Sequence, residues 1–335
     1  MLNHVVSTRT LGRLLGMGLL LAASVSGAQE TYPNRPITMI APFSAGGDAD
    51  LAARAFSAAA TKVLGQSVVV LNKTGASGVI GSAQVVASRP DGYTLLLART
   101  GSQAIMPAIM PTATKYKWND YTFIGMLELN PYGCVVSSSS PYKTFGDLTD
   151  GIKKQGKSLN FGTAGVLTTN DMGPRQLFRL LKLTDQVPTQ VPYKGTGETV
   201  TSLLAGQTQF SCGSLGSFLG HIKAGTLRAL MVTSTERVSD LPQVPTAREL
   251  GYADMEAIVG WSAVYAPAHL PENVKARLVA AMAVIAEDPQ WRTMTAQTGS
   301  LPFIKSPEQT RDFVQKQYEL YRSLGESLNI IDSNI

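Results

Sequence analysis

The sequence predicts an α/β protein of two lobes, each a mostly parallel sheet flanked by helices, with a ligand cleft between them. Three observations carry this expectation. Apolar runs of strand length alternate with helix-length segments along most of the chain, the pattern of a parallel sheet covered by crossover helices. The alternation lapses from residue 106 to residue 121, around Pro107 and Pro111, and then starts again. A passage of strand, small residues and helix occurs once in each half, beginning near residues 37 and 159.

Taken in order, residues 37–41 form an apolar strand that runs into Pro42-Phe43-Ser44-Ala45-Gly46-Gly47-Asp48-Ala49-Asp50 and an alanine-rich helix over 50–64. Residues 68–71 then read as a strand, 82–88 as a helix, and 93–98 as a strand ending in the loop Arg99-Thr100-Gly101-Ser102. In the second unit the strands are 133–137, 159–162, 190–193, 209–213 and 227–233, and the helices are 145–155, 171–182, 198–205 and 215–224. Amphipathic helices over 273–287 and 307–324 pack on a lobe. The first lobe is thus expected from residues 29–126 with 227–335, and the second from 127–226. Ligands of open α/β sheets sit beyond the carboxyl ends of the strands, where these loops lie. No short-period repeat or low-complexity tract interrupts the pattern.

The first 28 residues read as an export signal. Arg9 and Arg13 give a positive start, residues 14–25 are apolar, and Ser26-Gly27-Ala28 places small residues before a cleavage point at Gln29. The apolar core is about a dozen residues, short of the roughly 20 that span a bilayer. Removing the 28 residues leaves 307 of 335, enough for two modest domains, outside the cytoplasm. The signal takes Arg9 and Arg13 with it, so 27 basic residues face 24 acidic ones, a net charge of +3. The basic residues are scattered, without the stripe or aromatic interleaving of a nucleic-acid binder, and suit a small anion better. Cys134 and Cys212 both lie in strand-like runs, as a cross-strand bridge or as a buried free pair. With only those two cysteines and His221 and His269 in the mature chain, no zinc set is expected, nor any cofactor.

Enzyme signatures are missing: there is no G-x-S-x-G elbow and no phosphate loop, and Gly75-Ala76-Ser77-Gly78 lacks the spacing of a dinucleotide fingerprint. The loops carry the functional signal. A strand that turns through Ser44, Ala45, Gly46 and Gly47 into a helix leaves free backbone N–H groups at the helix start, where the dipole also favours an anion. Asn160-Phe161-Gly162-Thr163-Ala164-Gly165-Val166-Leu167-Thr168-Thr169-Asn170 repeats the design with hydroxyl donors, although Thr169 or Asn170 could serve simply as a helix cap. Asp50 and Arg54 stand four apart and are expected to pair with each other. Asp48 is the odd residue: its charge either turns away from a bound anion or meets a cationic or hydroxyl group on the ligand.

These motifs, with several others, resemble the solute-binding proteins of tripartite tricarboxylate transporters, the Bug proteins. The marks are Tyr32-Pro33-Asn34-Arg35-Pro36-Ile37, Ala45-Gly46-Gly47 with Asp50 and Arg54, Leu64-Gly65-Gln66, Asn72 and Gly75-Ala76-Ser77-Gly78. Further on come Pro90-Asp91-Gly92-Tyr93-Thr94-Leu95-Leu96, Val191-Pro192-Tyr193-Lys194-Gly195, Leu204-Ala205-Gly206-Gln207, Leu241-Pro242-Gln243-Val244-Pro245-Thr246, and Trp261 with Ala266-Pro267.

The resemblance implies a two-lobed periplasmic-binding-protein fold of type II character and an extracytoplasmic receptor. That receptor would capture a small carboxylate and pass it to the membrane permease subunits of such a transporter. It also implies that one carboxylate is held by the loop Ser44–Gly47 and by Thr163, Ala164, Gly165, Leu167, Thr168, Thr169 and Asn170, with Gly101, Ser102 and Ser214 as further cleft residues. Asp50, Arg54 and Asp171 stand beside the site as structural residues. This chain has Leu167 where many relatives have Gly, and Asp171 where they often have His. Leu167 in the pocket wall would favour a dicarboxylate with an apolar body, such as terephthalate. Alternatives are a sensor partner of a membrane kinase and a carboxylate-processing enzyme.

Overall fold

The computed structural model describes Met1 and residues 32–332. The export signal expected over 1–28 lies, Met1 apart, outside the described residues. The first unit contains β1 (Ile37–Ala41), α1 (Asp48–Leu64), β2 (Val68–Asn72), α2 (Val79–Val86) and β3 (Thr94–Arg99). A π-helical turn, Gly101–Ile105, then runs into the short α3 (Met106–Ile109) and is followed by β4 (Tyr121–Asn130).

The second unit contains β5 (Tyr132–Ser137), α4 (Phe145–Gln155), β6 (Asn160–Thr163), α5 (Thr169–Leu180), β7 (Thr189–Pro192), α6 (Thr196–Leu204), β8 (Ser211–Ser214), α7 (Leu215–Lys223) and β9 (Leu227–Val232). The chain closes with β10 (Gly260–Pro267), α8 (Glu272–Ala286), α9 (Pro289–Gln297), β11 (Leu301–Lys305) and α10 (Pro307–Ser327). Among the described residues no helix is long and apolar enough to cross a membrane.

The first lobe is a six-stranded sheet in the order β11-β4-β10-β3-β1-β2. Alternate residues of its central strands bury on opposite faces, as a doubly covered sheet requires. Met39, Leu95 and Leu97 pack under α1 and α8, whereas Ile40, Leu96 and Ala98 pack under α2 and α10. The sheet is mixed rather than mostly parallel. β1 pairs in parallel with β2 and β3, but β10 runs antiparallel to β3 and β4, and β11 antiparallel to β4.

The second lobe is likewise mixed: β8-β5-β9 is antiparallel, β6 and β7 pair in parallel, and a bridge from Phe161 to Phe210 links the two groups. Cys134 and Val136 of β5 face α4 and α5; Val135 faces α6 and α7.

The lobe limits differ from the expected ones at both crossings. β4 stays in the first sheet to Asn130, and Leu227–Val232 pairs with β5 in the second, so the chain returns only between β9 and β10. The two crossings are stitched together. Thr233 N–H donates to the Tyr132 carbonyl at 2.8 Å, and the Thr233 hydroxyl donates to the Ile258 carbonyl at 3.1 Å.

Cys134 and Cys212 lie opposite one another in the β5–β8 register and form a disulfide. The bond closes a loop across a sequence separation of 78. Chain-entropy reasoning puts its contribution at about 4 kcal/mol. Replacing both cysteines by serine should lower the unfolding free energy by that order, read from urea denaturation, with the loss in the second lobe.

Candidate functional site

Two loops of the same construction face each other across the cleft. In the first lobe β1 ends at Ala41, and the chain turns through Gly46, whose φ of +78° suits glycine, to Gly47, the N-cap of α1. Asp50 fastens this turn. Its Oδ2 accepts from the Gly46 N–H at 3.0 Å and from Arg54 Nε at 2.9 Å, while Oδ1 accepts from Asn72 Nδ2 at 3.1 Å. Asn72 Nδ2 also donates to the Phe43 carbonyl at 3.0 Å. Burial alone would raise the Asp50 pKa, but the bonds from Arg54, Gly46 and Asn72 outweigh it and hold the carboxyl below its ordinary value.

The second lobe repeats the device. Asp171 Oδ2 accepts from the Leu167 N–H at 2.8 Å and Oδ1 accepts from Arg175 Nε at 2.7 Å. Each aspartate therefore ties down the N–H four residues earlier and the arginine four residues later. Leu167 occupies the left-handed position that Gly46 fills in the first loop, with φ +54°. Asp171 is more deeply enclosed, and burial pushes its carboxyl up despite Arg175.

The consequence is two helix starts without a side-chain cap. Neither Gly47 nor Thr168 caps its helix, and the Thr168 hydroxyl instead donates back to the Gly165 carbonyl at 2.9 Å. The orphan N–H groups of α1 and α5 thus remain for another acceptor. Both starts line one cavity, together with the α6 start at Gly195 and Thr196, which also has no side-chain cap.

The lobes are closed on this cavity. The Ser77 hydroxyl donates to the Val166 carbonyl from the opposite lobe, and a Cβ at Gly195 would run into Ser44 Oγ. Phe43 and Ala164 supply the apolar wall, and Ser44, Thr100 and Thr169 add hydroxyls. Asn170 is 5% exposed; its Oδ1 accepts from the Tyr132 hydroxyl at 3.2 Å, but its Nδ2 has no partner among the described residues.

A buried charge network forms the cavity floor. Arg99, at the end of β3 and 7% exposed, donates through Nη2 to Asp48 Oδ2 and through Nη1 to Ser262 Oγ at 2.5 Å. Nη1 also lies 3.8 Å from Glu128 Oε1. Glu128 accepts from the Ser262 hydroxyl at 2.9 Å and Asn130 Nδ2 at 3.0 Å. Burial pushes its carboxyl up, against the pull of Arg99. The charge of Asp48 is thus met inside the protein by Arg99.

Of the residues expected at the site, Ser44, Gly47, Gly101, Ala164, Thr168, Thr169 and Asn170 line the cavity. Ala45 and Gly46 are exposed behind it. Thr163 Oγ1 accepts from Gln190 at 3.0 Å, and the Ser102 hydroxyl donates to the Arg99 carbonyl at 3.4 Å, both outside the lining. Gly165 borders a neighbouring cavity. Ser214 is buried at the start of α7, and Leu167, 2% exposed, packs in the buried cluster of Ile105 and Trp261, so neither belongs to the wall. Leu167 as an apolar wall residue is therefore corrected: its left-handed backbone turns the side chain into the core.

The expected Asp50–Arg54 pair is present. Phe43, Arg99, Thr100, Gly195 and Thr196 were not anticipated. A cation at the carboxyl end of a strand, and a third strand-to-glycine-to-helix passage at Gly195, were the signals that could have found them. His221 and His269 lie outside the lining.

One expected outcome concerns the first loop. Asp50→Asn should cost about 1–3 kcal/mol by weakening the bonds to Gly46 and Arg54. Since the folded carboxyl titrates below its ordinary 3.8, its contribution is present above that pH and lost as pH falls through the lower folded value. Melting temperatures of wild type and variant should therefore differ at neutral pH and converge below pH 3.8, followed by circular dichroism.

Comparison with known proteins gives a consistent result. The family model described as the tripartite tricarboxylate transporter family receptor matches residues 52–330. Protein BugT of Bordetella pertussis is 34% identical over 304 residues, covering 89% of this chain and 90% of that protein. The periplasmic binding protein BugD is 29% identical with a TM-score of 0.84, covering 90% of this chain and 99% of its own. MatC of Rhodopseudomonas palustris, solved with bound malate, is 28% identical with a TM-score of 0.80, covering 88% and 100% of the two chains. A second R. palustris protein, solved with adipate, is 25% identical with a TM-score of 0.84, covering 90% and 99%.

Proposed function

The chain belongs to the tripartite tricarboxylate transporter receptor family of periplasmic binding proteins, and from that premise we propose that it captures a small aliphatic dicarboxylate in the cleft. It then presents the bound diacid to membrane permease subunits of that transporter type. The observation that carries the reading is the pair of uncapped helix starts, Gly47 from one lobe and Thr168 from the other, facing a single cavity. A carboxylate at each start accepts the orphan N–H groups and sits at the positive end of a helix dipole. A diacid bridges both lobes and so favours closure, which only a ligand contacting both lobes can do.

The relatives solved with malate and adipate support a compact diacid. The apolar wall consists of Phe43 and Ala164, without Leu167, so the aliphatic body rests on those relatives and not on the wall. Micromolar affinity requires roughly 8 kcal/mol, within reach of several charge-assisted hydrogen bonds in a closed site.

A thermal-shift screen with succinate, malate, adipate, citrate and terephthalate tests the reading. The four- to six-carbon aliphatic diacids are expected to raise the melting temperature, by about 2.7 kcal/mol of added stability at a hundredfold excess over Kd. No rise with any of them would contradict it.

A further inference from the structure

The cavity contains a hydrogen-bond acceptor that a plain diacid cannot satisfy. Asp48 lines it with a side chain 18% exposed, and while Oδ2 is held by Arg99, Oδ1 has no hydrogen bond among the described residues. Asp48 and Arg99 are the only charged residues in the lining among the described residues, and they are paired with each other. The guanidinium is further engaged by Ser262 and lies near Glu128, so it has little charge left for an incoming anion. An unsubstituted diacid dianion offers only acceptors and leaves Asp48 Oδ1 without a donor.

We propose that Asp48 is a specificity-determining residue that reads a hydrogen-bond donor, a hydroxyl or an ammonium, on the carbon chain of the ligand. The inference rests on the dicarboxylate reading above and narrows it to 2-hydroxy or 2-amino diacids. Arg99 holds the carboxylate in place, and the α1 start, one residue earlier at Gly47, receives the adjacent ligand carboxylate. The donor then makes a charge-assisted bond that an unsubstituted chain cannot make. A site that hydrogen-bonds a substituent rejects the analogue lacking it, here by roughly ten- to a hundredfold given that Asp48 is not wholly enclosed.

Calorimetric titration of matched sets tests this: succinate against malate and aspartate, and glutarate against 2-hydroxyglutarate and glutamate. In wild type the substituted member of a set should bind at least about tenfold tighter than the plain diacid, and the hydroxy and amino arms identify the donor. In Asp48→Ala, with folding checked by its melting curve, the ratio should shrink to about threefold or less. If that variant does not fold, the wild-type ratio decides alone. Plain diacids that bind as tightly as their substituted partners, or a ratio that survives Asp48→Ala, would overturn the inference and leave the diacid reading standing. Failure of every diacid to bind would overturn both.

Discussion

Gly47→Glu should abolish dicarboxylate binding while the fold stays intact. Gly47 has φ −83° and ψ 170°, a conformation open to any residue, and a Cβ there meets nothing nearer than the Ser44 carbonyl at 3.5 Å, an ordinary contact. The added carboxylate enters the cavity beside Asp48 and takes the helix-start position assigned to the ligand. Like charge and lost space act together. Affinity should fall by more than about a hundredfold, or some 2.7 kcal/mol, on calorimetric titration. The melting temperature should stay close to that of wild type, and Gly47→Ala should bind with a far smaller loss. Normal binding by the glutamate variant would place the anion elsewhere.

Arg99→Met should be the most destabilising single change near the cleft. The guanidinium is enclosed between Asp48 and Glu128, and removing it strands two carboxylates, one of them 3% exposed. Breaking a buried ion pair from one side costs about 3–5 kcal/mol. The pH dependence has a definite sign. Burial raises the folded pKa of Glu128 above its ordinary value, so the native state holds its proton where the unfolded chain has released it. Stability linked to this group is fully present at low pH and is lost as pH rises through the raised value. Without Arg99 the carboxyl is raised further, so the variant should recover part of its deficit on going from pH 7.5 to pH 5. A melting-temperature deficit unchanged between those pH values would count against an ionised Glu128 beside Arg99.

Much of the fold was legible because local signals agreed with tertiary structure. The helix expected over 145–155 forms with those bounds, opened by a capping box in which Thr144 and Asp147 exchange hydrogen bonds. Strand-to-helix passages in both lobes were readable from their small residues. β10 was missed because all eight of its residues are buried, so the two-residue alternation that marks a half-exposed strand is missing. The loop expected at Arg99–Ser102 is helical from Gly101, since burial of every residue from Gly101 to Ile105 overrides the turn-like composition.

The site was legible to the same extent and for the same reasons. Both loops at the helix starts could be read, and so could the Asp50–Arg54 pair. Arg99 could not be read, because it acquires its meaning from Ser262, 163 residues away on β10, and from Glu128 on β4, two strands that local pattern did not reveal. Leu167 misled because its spacing places it in the loop, whereas its positive φ and the neighbouring core decide where its side chain goes.

In the proposed mode of binding, two helix starts from opposite lobes each hold one carboxylate of the same ligand. Calorimetric titration of diacids against monoacids of equal chain length, with and without a 2-hydroxyl, tests it most directly. Binding near the micromolar level is expected for a four- to six-carbon diacid and at least about a hundredfold weaker binding for the matching monoacid, since one lobe then lacks its anion. A monoacid that binds as tightly as its diacid, or a diacid series without a single binder, would contradict it.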